Sequence, residues 1–269
     1  MDPKTEITIR LGLFVGVLLA MLLWEQFAPR RRPTVRRALR RGHNLALVVL
    51  NTIVARLVLP ISAVAAAEAC GVRGWGLLAR IDAPAWAETL TAVVLLDLAI
   101  YLQHVAFHAV PILWRLHRVH HADLDFDVTT GLRFHTLEIV LSALIKLAAI
   151  ALLGPSPLAV ILFEVLLNAT AMFKHGNVSL PKRIEPLVRA LIVTPDMHRI
   201  HHSIERSETN SNYGFNLSCW DRLFRTYRAE PQAGQDAMTI GIESWRNEQQ
   251  VERLPGMLAL PFVDPRRDD

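Results

Sequence analysis

The sequence predicts an all-α fold, a polytopic membrane helical bundle of about four to five membrane helices, with a cytoplasmic helical cap that carries a histidine metal site. Three observations predict it. Hydrophobic residues make up 52% of the 269-residue chain, which is too apolar for an ordinary soluble domain of this size. Several apolar windows reach the roughly 20 residues that a helix needs to cross about 30 Å of hydrocarbon. Ten of the 11 histidines lie between His104 and His202.

The first predicted membrane helix covers about residues 7–27, around LGLFVGVLLAMLLW. A cleaved signal peptide would carry basic residues before its apolar run and a small-residue cleavage site after it. Here the main basic block follows the run, and no A-x-A site appears. We therefore expect an uncleaved membrane anchor.

A basic loop is predicted at residues 30–42. Seven arginines fall in RRRPTVRRALRR, between Arg30 and Arg41, although the formal net charge of the chain is only +4. Such a run between two apolar segments is typical of a cytoplasmic loop. A solvated helix face or a nucleic-acid patch is the alternative. Because the basic residues do not interleave with aromatic residues as in a stacking platform, we expect no nucleic-acid partner.

The next two apolar windows differ in quality. Residues 44–67 contain Arg56 and Pro60, so this segment either spans the membrane or is re-entrant. Residues 90–110 predict a good helix whose polar residues form a stripe. Asp97, Tyr101, His104 and His108 follow one another at steps of 4, 3 and 4 residues, and such a stripe inside a membrane helix indicates a functional site.

A helical hairpin is predicted from residues 137–153 and 158–173, joined by the turn-forming sequence GPSP. Counting crossings from a cytoplasmic basic loop puts residues 104–133 and the whole chain from residue 174 on the cytoplasmic side. The tail, residues 181–269, is charged and amphipathic and predicts a cap, with a helix along the interface near residues 180–193. The same count places Cys70 and Cys219 on opposite sides, so they cannot pair.

The histidines have the spacing of metal ligands. Residues three and four apart share one face of a helix, which relates His104 to His108 in an HxxxH pair. The same spacing places the three histidines of HRVHH, residues 117–121, on one helix face, and likewise the three of HRIHH, residues 198–202. The chain has two cysteines and no CxxC, so a metal must be held by histidine. His43 stands alone beside the basic loop and predicts no ligand.

Eight clustered histidines exceed what one catalytic zinc takes and suit two ions a few Å apart. Imidazole suits zinc, copper, iron and nickel alike, so spacing leaves the metal open; such a site could activate water or dioxygen. A membrane zinc hydrolase, or a non-catalytic metal transporter or sensor, would use the same ligands. All the clusters fall on one predicted side, which argues against transport. No HExxH, GxSxG, Walker or GxGxxG motif is present.

Five segments together carry a specific resemblance: HVAFH, HRVHHADLDFDVTTGLRFHTLE, FKHGN, TPDMHRIHHS and NYGFNLSCWDRLFRTY. From about residue 97 to residue 227, the chain resembles the fatty acid hydroxylase and sterol desaturase superfamily of membrane enzymes. The resemblance implies an integral membrane oxidoreductase with a non-haem di-iron centre at the cytoplasmic face. It also implies dioxygen as co-substrate and hydroxylation or desaturation of a lipid C–H bond with two electrons.

Carried over by matching position, the resemblance implies ten metal ligands in ordered histidine boxes. They are His104, His108, His117, His120, His121, His135, His175, His198, His201 and His202. His135 matches an RxHPxE element in which Thr136 replaces the proline, which weakens its assignment. Asp97, Glu138 and Asn177 become candidates for orienting the ligands.

The resemblance also implies partners and a location. A lipid is the expected substrate, and an external electron-transfer protein, a cytochrome, ferredoxin or reductase, is expected because no haem or flavin motif is present. We expect a multi-pass protein of the inner or plasma membrane if the source is bacterial. The predicted divisions are membrane anchor helices in residues 1–89, a catalytic domain in residues 90–228, and a tail in residues 229–269 that packs on the cap.

Overall fold

The computed structural model describes residues 3–264, and within them all regular structure is helical apart from three isolated β-bridges. The α-helices are α1 Pro3–Phe27, α2 Arg37–Val58, α3 Ala63–Arg73, α4 Ala85–Ala109, α5 Pro111–His121, α6 Thr136–Leu153, α7 Pro157–Lys174, α8 Glu185–Leu191, α9 Pro195–His201, α10 Arg206–Thr209, α11 Cys219–Leu223, α12 Gly234–Ala237, α13 Glu248–Val251 and α14 Leu254–Ala259. Short 3-10 helices cover Leu78–Arg80, Thr130–Leu132 and Leu260–Phe262.

Five helical segments are long and apolar enough to cross a membrane: Lys4–Phe27, Arg37–Arg80, Ala85–Ala109, Thr136–Leu153 and Pro157–Lys174. They correspond to the five windows predicted from the sequence, and the predicted all-α bundle is confirmed. The outer limits of the predicted anchor and tail, residues 1–2 and 265–269, lie outside the described residues.

The bundle has two distinct ends. At the histidine end, α4 gives way to α5. At the opposite end, Gly154 terminates α6 in the left-handed conformation, and Ser156 caps the start of α7 by accepting a hydrogen bond from the backbone N–H of Ala159 at 3.4 Å. Ser-Pro at this position is a strong helix start, so α6 and α7 form the predicted hairpin.

Residues 44–67, predicted either to span the membrane or to be re-entrant, belong to a segment that runs from one end of the bundle to the other. Near its start, Asn44 of α2 donates to Thr129 at the histidine end. The helix stops before Pro60, as expected for a residue without an N–H. The chain continues through α3 to the opposite end, where the backbone N–H of Leu77 donates to the carbonyl oxygen of Leu152 at 3.0 Å.

One apolar core lies toward the opposite end, where α3, α4, α6 and α7 meet around Ala67, Leu96, Ile150 and Phe163. Smaller apolar clusters lie near the histidine end. Three long helices are also joined by charge. Arg10 of α1 donates to Glu164 of α7 at 2.5 Å, and Lys146 of α6 donates to the same carboxylate. Charged groups within apolar segments are stable when they pair in this way.

The cap at the histidine end is built from the short helices α8–α14. The predicted interfacial helix is the seven-residue α8, whose Leu187 and Leu191 are strongly exposed. The C-terminal part packs on α5. The guanidinium of Arg118 donates to the carbonyl oxygens of Leu260 and Val263, both at 2.5 Å.

A glycine pair fixes the contact between the α3 and α6 ends. Gly76 has a φ of +110°, and a Cβ at this position would lie 2.3 Å from the Cα of Gly154. We expect Gly76→Ala to lower the thermal midpoint of the purified protein in detergent by about 3 °C or more, because the new side chain meets backbone in a conformation that disfavours it. Gly12→Ala on α1, where nothing lies within 4 Å, is the matched control. Equal midpoints for the two variants would contradict this account.

Candidate metal centre

Four segments bring the histidines together at one end of the bundle. Only Val110 separates the end of α4 at Ala109 from the start of α5 at Pro111, so the HxxxH pair of α4 meets the HRVHH motif of α5. The HRIHH motif lies on α9, which begins at a Thr194 cap followed by a proline. His175 follows the last residue of α7. Caps and prolines therefore define where the helices that carry HRVHH and HRIHH begin, although the two motifs lie about 80 residues apart in sequence.

The ring nitrogens form two groups, and in each group the candidate ligand atoms lie within 4.8 Å of one another. The first group contains His104, His108, His117, His121 and His201; the second contains His120, His175, His198 and His202.

Each HRxHH motif serves both groups. In the α5 motif, the first and last histidines join the first group, and His120 between them joins the second. In the α9 motif the assignment is reversed, because His198 and His202 join the second group and His201 the first. Positions i+3 and i+4 differ by about 100° around a helix, so one short helix can present ligands to two adjacent centres.

Backbone carbonyls fix the protonation of several rings. In the first group, the Nδ1 atoms of His104 and His201 lie 2.7 Å from the carbonyl oxygens of Tyr213 and Ser211. A carbonyl oxygen only accepts, so each neutral ring carries its proton on Nδ1 and has a lone pair on Nε2. These two Nε2 atoms are 3.0 Å apart. Two lone pairs at that distance repel each other unless a cation lies against both.

The second group repeats this arrangement. The Nδ1 atoms of His120 and His175 face the carbonyl oxygens of Arg133 at 3.2 Å and Ala171 at 2.7 Å. Their Nε2 atoms are 3.1 Å apart. His198 adds a third nitrogen, since its Nε2 is 3.0 Å from the Nε2 of His175.

Several buried ring nitrogens without hydrogen-bond partners also indicate metal ligation. Both ring nitrogens of His121 and of His202, and the Nε2 of His117, are buried and form no hydrogen bond within the described chain. A buried polar atom left unpaired costs about 1 to 3 kcal/mol. One such atom in each group would be unusual, and several converging in each group fit metal ligation.

Burial also keeps these rings neutral, as ligation requires. Burial, followed by the charge of Lys174, lowers the pKa of His117 to about 3. Burial is likewise the largest cause that lowers the pKa of six other rings well below 6.5: His120, His121, His175, His198, His201 and His202. Neighbouring histidines lower these values further.

Of the three residues predicted to orient ligands, Glu138 alone contacts a histidine: its Oε1 lies 2.6 Å from the Nδ1 of His117. Asp97 accepts hydrogen bonds from the backbone N–H groups of Asn216 and Leu217 instead. The side chain of Asn177 bonds to the backbone of Arg31. Both therefore position loops beside the site rather than imidazole rings.

His135 lies outside both groups. It caps α6, where its Nδ1 accepts from the backbone N–H of Leu137 at 3.2 Å, and its Nε2 lies 3.3 Å from the carbonyl oxygen of Leu258. His43 on α2 also belongs to neither group.

Two supporting residues were missed in the sequence. Asp221 accepts from the backbone N–H groups of Tyr213 and Gly214, both at 2.8 Å, and so holds the carbonyl that faces His104. Arg133 is fully buried and donates to Glu252 at 2.8 Å, which fixes the carbonyl that faces His120. Neither has a spacing that distinguishes it from a surface charge, so no signal in the sequence alone identifies them.

Aromatic side chains enclose the histidines. Phe134 stacks on His120 with ring centroids 4.4 Å apart, and Phe126 lies 5.1 Å from His202. Trp114 lies 4.9 Å from His108, and Tyr213 lies 5.1 Å from the same ring. These walls exclude bulk water from the two groups.

The fold and the site define a class: a helical membrane protein with two adjoining histidine groups, each of which could hold a metal ion, at one end of its bundle. The chain belongs to the fatty acid hydroxylase family, whose model matches residues 89–226. The resemblance predicted from the histidine motifs is thus confirmed. With its five apolar helices, the chain is a multi-pass integral membrane protein.

Curated relatives share this region. The chain is 32% identical over 156 residues to ornithine lipid hydroxylase OlsE of Rhizobium tropici, which covers 58% of this chain and 45% of that protein. It is 28% identical over 154 residues to human alkylglycerol monooxygenase, covering 55% and 32% respectively. It is 25% identical over 161 residues to rat cholesterol 25-hydroxylase, covering 58% and 51%. The chain thus spans about half the length of these relatives or less. No solved structure matches it significantly.

The contact between Glu138 and His117 can be tested separately from the ligands. We expect Glu138→Gln to weaken metal affinity by about 10- to 100-fold, because the carboxylate fixes the ring orientation and increases its basicity. Metal retained per chain during dialysis against a graded chelator series measures this change. Glu68→Gln, at an exposed site on α3, is the control. Identical retention in both variants would show that Glu138 does not support the centre.

Proposed function

We propose that this protein is a di-iron oxygenase that oxidises a lipid C–H bond with dioxygen and two electrons. The observation that carries the proposal is the pair of facing Nε2 atoms in each histidine group, at 3.0 Å and 3.1 Å. A cation between the two nitrogens of each pair would remove the repulsion of their lone pairs. Two such pairs in adjoining groups therefore favour two metal ions. Family membership favours iron over zinc among the metals that imidazole accepts.

Nine histidines are the proposed ligands, five for one ion and four for the other. His135, which the resemblance included, is assigned to capping α6 instead. When bound, the two ions supply the activation of dioxygen that oxidation of an unactivated C–H bond requires. The chain supplies neutral ligands, fixed ring orientations and a space without bulk water.

The approach of a lipid is proposed at the first group. His108 is its one incompletely buried ligand, and Trp114 packs against it. Val110 and Ile112, on either side of the start of α5, are 41% and 67% exposed. An apolar rim beside the least buried ligand suits an acyl or alkyl chain entering from the membrane.

Hydroxylation is the favoured outcome. Ornithine lipid hydroxylase, alkylglycerol monooxygenase and cholesterol 25-hydroxylase are all named for oxygen insertion. Their named substrates differ, so we propose a lipid without choosing among ornithine lipids, ether lipids and sterols. The two electrons come from an external electron-transfer protein in this proposal.

The active site is proposed to face the cytoplasm. The arginine-rich loop between α1 and α2 lies at the histidine end, where the backbone N–H of Arg30 donates to the carbonyl oxygen of Asn177 at 2.8 Å. Clusters of arginine beside membrane helices favour the cytoplasmic side. In a bacterium, this arrangement corresponds to the inner membrane.

Metal content and lipid oxidation together test the function. We expect about two iron atoms per chain, and a hydroxylated lipid that appears in extracts of expressing cells only when dioxygen is present. His120→Ala removes a proposed ligand, so metal and activity should fall together, by at least about 100-fold in activity. His43→Ala should retain both.

Other outcomes would contradict this function. One zinc per chain with oxygen-independent hydrolysis would replace it with a membrane hydrolase. Full iron content and activity in His120→Ala would show that the second group is not a metal site.

Sidedness is tested with a membrane-impermeant maleimide. Cys219 is exposed at the histidine end, so with Cys70 replaced by alanine it should be labelled in inverted vesicles and not in intact cells. A single cysteine at the exposed Asp82 position, at the opposite end, should show the reverse pattern. Labelling of Cys219 in intact cells would place the site outside.

A further inference from the structure

A cavity of about 210 Å³ lies at the histidine end, outside both histidine groups. Four chain segments form most of it: the loop after α1, the first turns of α2, residues 124–127 and residues 237–240. Asn177 and Arg246 complete the lining. Its lining is dominated by arginine, namely Arg31, Arg32, Arg37, Arg40, Arg41 and Arg246. This charge is the first sign that the cavity has an anionic occupant.

Two of these arginines are neutralised by the protein. Arg40 donates to Asp123 at 2.7 Å and also pairs with Asp127. Arg41 donates to Glu25 at 2.5 Å and to Asp127 at 2.8 Å. These pairs join the start of α2 to α1 and to the loop after α5.

The other four, Arg31, Arg32, Arg37 and Arg246, form no ion pair within 4.0 Å among residues 3–264. Three of them donate hydrogen bonds to neutral oxygens. Arg31 donates to the carbonyl oxygen of Met238 at 2.7 Å, Arg37 to Gln26 at 3.3 Å and Arg246 to the carbonyl oxygen of Ile240 at 2.6 Å. The Nη1 of Arg31 is inaccessible and has no partner within the described chain.

The one other lining carboxylate, Asp125, offsets only part of this charge: it attracts Arg31 and Arg246 across space, and forms no ion pair with either. Asp125 accepts from the backbone N–H of Thr34 at 2.9 Å and from that of Val35 at 3.1 Å. Four cations around one small cavity repel one another, and the repulsion grows as water is excluded. Burial is also the main cause that lowers the pKa of Arg31 and Arg246. A bound anion would relieve both costs.

The start of α2 adds a further positive contribution. The residue before this helix is Arg36, which offers no acceptor to the first-turn N–H groups, and no side-chain cap is formed. An uncapped helix start favours a negative charge. Because Arg37 lines the cavity, this uncapped turn lies beside the arginines.

We propose that this cavity binds a phosphate group. A phosphate offers several acceptor oxygens and up to two negative charges, which match a set of guanidinium donors better than a single carboxylate does. The group could belong to inorganic phosphate or to the headgroup of an anionic membrane lipid, because the cavity lies where α1 leaves the apolar region. The site is independent of the proposed oxidation.

Phe126 separates the phosphate site from the metal centre. Its side chain lines the cavity, and its ring lies 5.5 Å from that of His175 and 5.1 Å from that of His202. An occupant would therefore brace the loop that walls the second histidine group without contacting a ligand.

The thermal midpoint of the full chain tests this site. Protein in phosphate-free maltoside micelles is titrated with inorganic phosphate, with chloride keeping ionic strength constant, and the titration is repeated with phosphatidylglycerol in the micelles. We expect a saturable rise of about 3 °C or more for the parent protein. Loss of one charged contact should weaken phosphate affinity by about 10-fold or more in Arg32→Gln and in Arg246→Gln.

Arg206→Gln is the matched control, because Arg206 is exposed on α10 and does not line the cavity; it should respond like the parent. Metal content should stay unchanged in all three variants. If phosphatidylglycerol raises the midpoint and abolishes the response to phosphate, the occupant is a lipid headgroup. If phosphate alone stabilises, the occupant is free phosphate. No response to either beyond chloride, or equal responses in the cavity variants and the parent, would overturn the proposal.

Discussion

The facing imidazole nitrogens are the constraint on which the rest of the histidine end depends. Backbone carbonyl oxygens accept hydrogen bonds from the Nδ1–H groups of His104, His201, His120 and His175. The Nε2 lone pairs therefore face each other, with the two nitrogens 3.0 Å apart in the first group and 3.1 Å apart in the second. Such an arrangement is stable only around cations. The turn between α4 and α5 and the cap of α9 serve to bring these nitrogens together, and the loops around Asp221 and Arg133 hold the carbonyls that orient them.

Charge pairs and small apolar clusters together hold the loops around this centre. The pairs of Arg40 and Arg41 with Asp123, Asp127 and Glu25 join α1, α2 and the loop after α5. Buried pairs of this kind contribute little net stability but strongly disfavour alternative arrangements, since separating them leaves a charge unpaired. Apolar clusters at the same end include one around Val119 and Met257 and one around Val128 and Met172, and a further cluster fills the other half of the bundle. The histidine end therefore combines buried charge pairs with small apolar clusters, whereas the other half of the bundle is mainly apolar.

The placement of polar groups also bears on transport. Both histidine groups lie at one end, and the charged groups deeper in the bundle, Arg10, Glu164 and Lys146, pair with one another. A transport route would need ligands distributed along the bundle. The two histidine groups at one end, enclosed by aromatic rings, do not have that distribution.

The sequence by itself determined the all-α class, the five apolar segments and the identity of nine of the histidines that converge, because hydropathy and helical spacing are local properties. The sequence did not determine how these nine histidines divide between the two groups. The i+3 histidine of each HRxHH motif joins the group opposite to its neighbours, and only contacts between distant helices set this assignment. His135 shows the same limit, because its motif matched while its ring faces Leu258. Ligand partition, carbonyl orientation and the arginine cavity all require segments far apart in the chain to meet, which the tertiary structure alone decides.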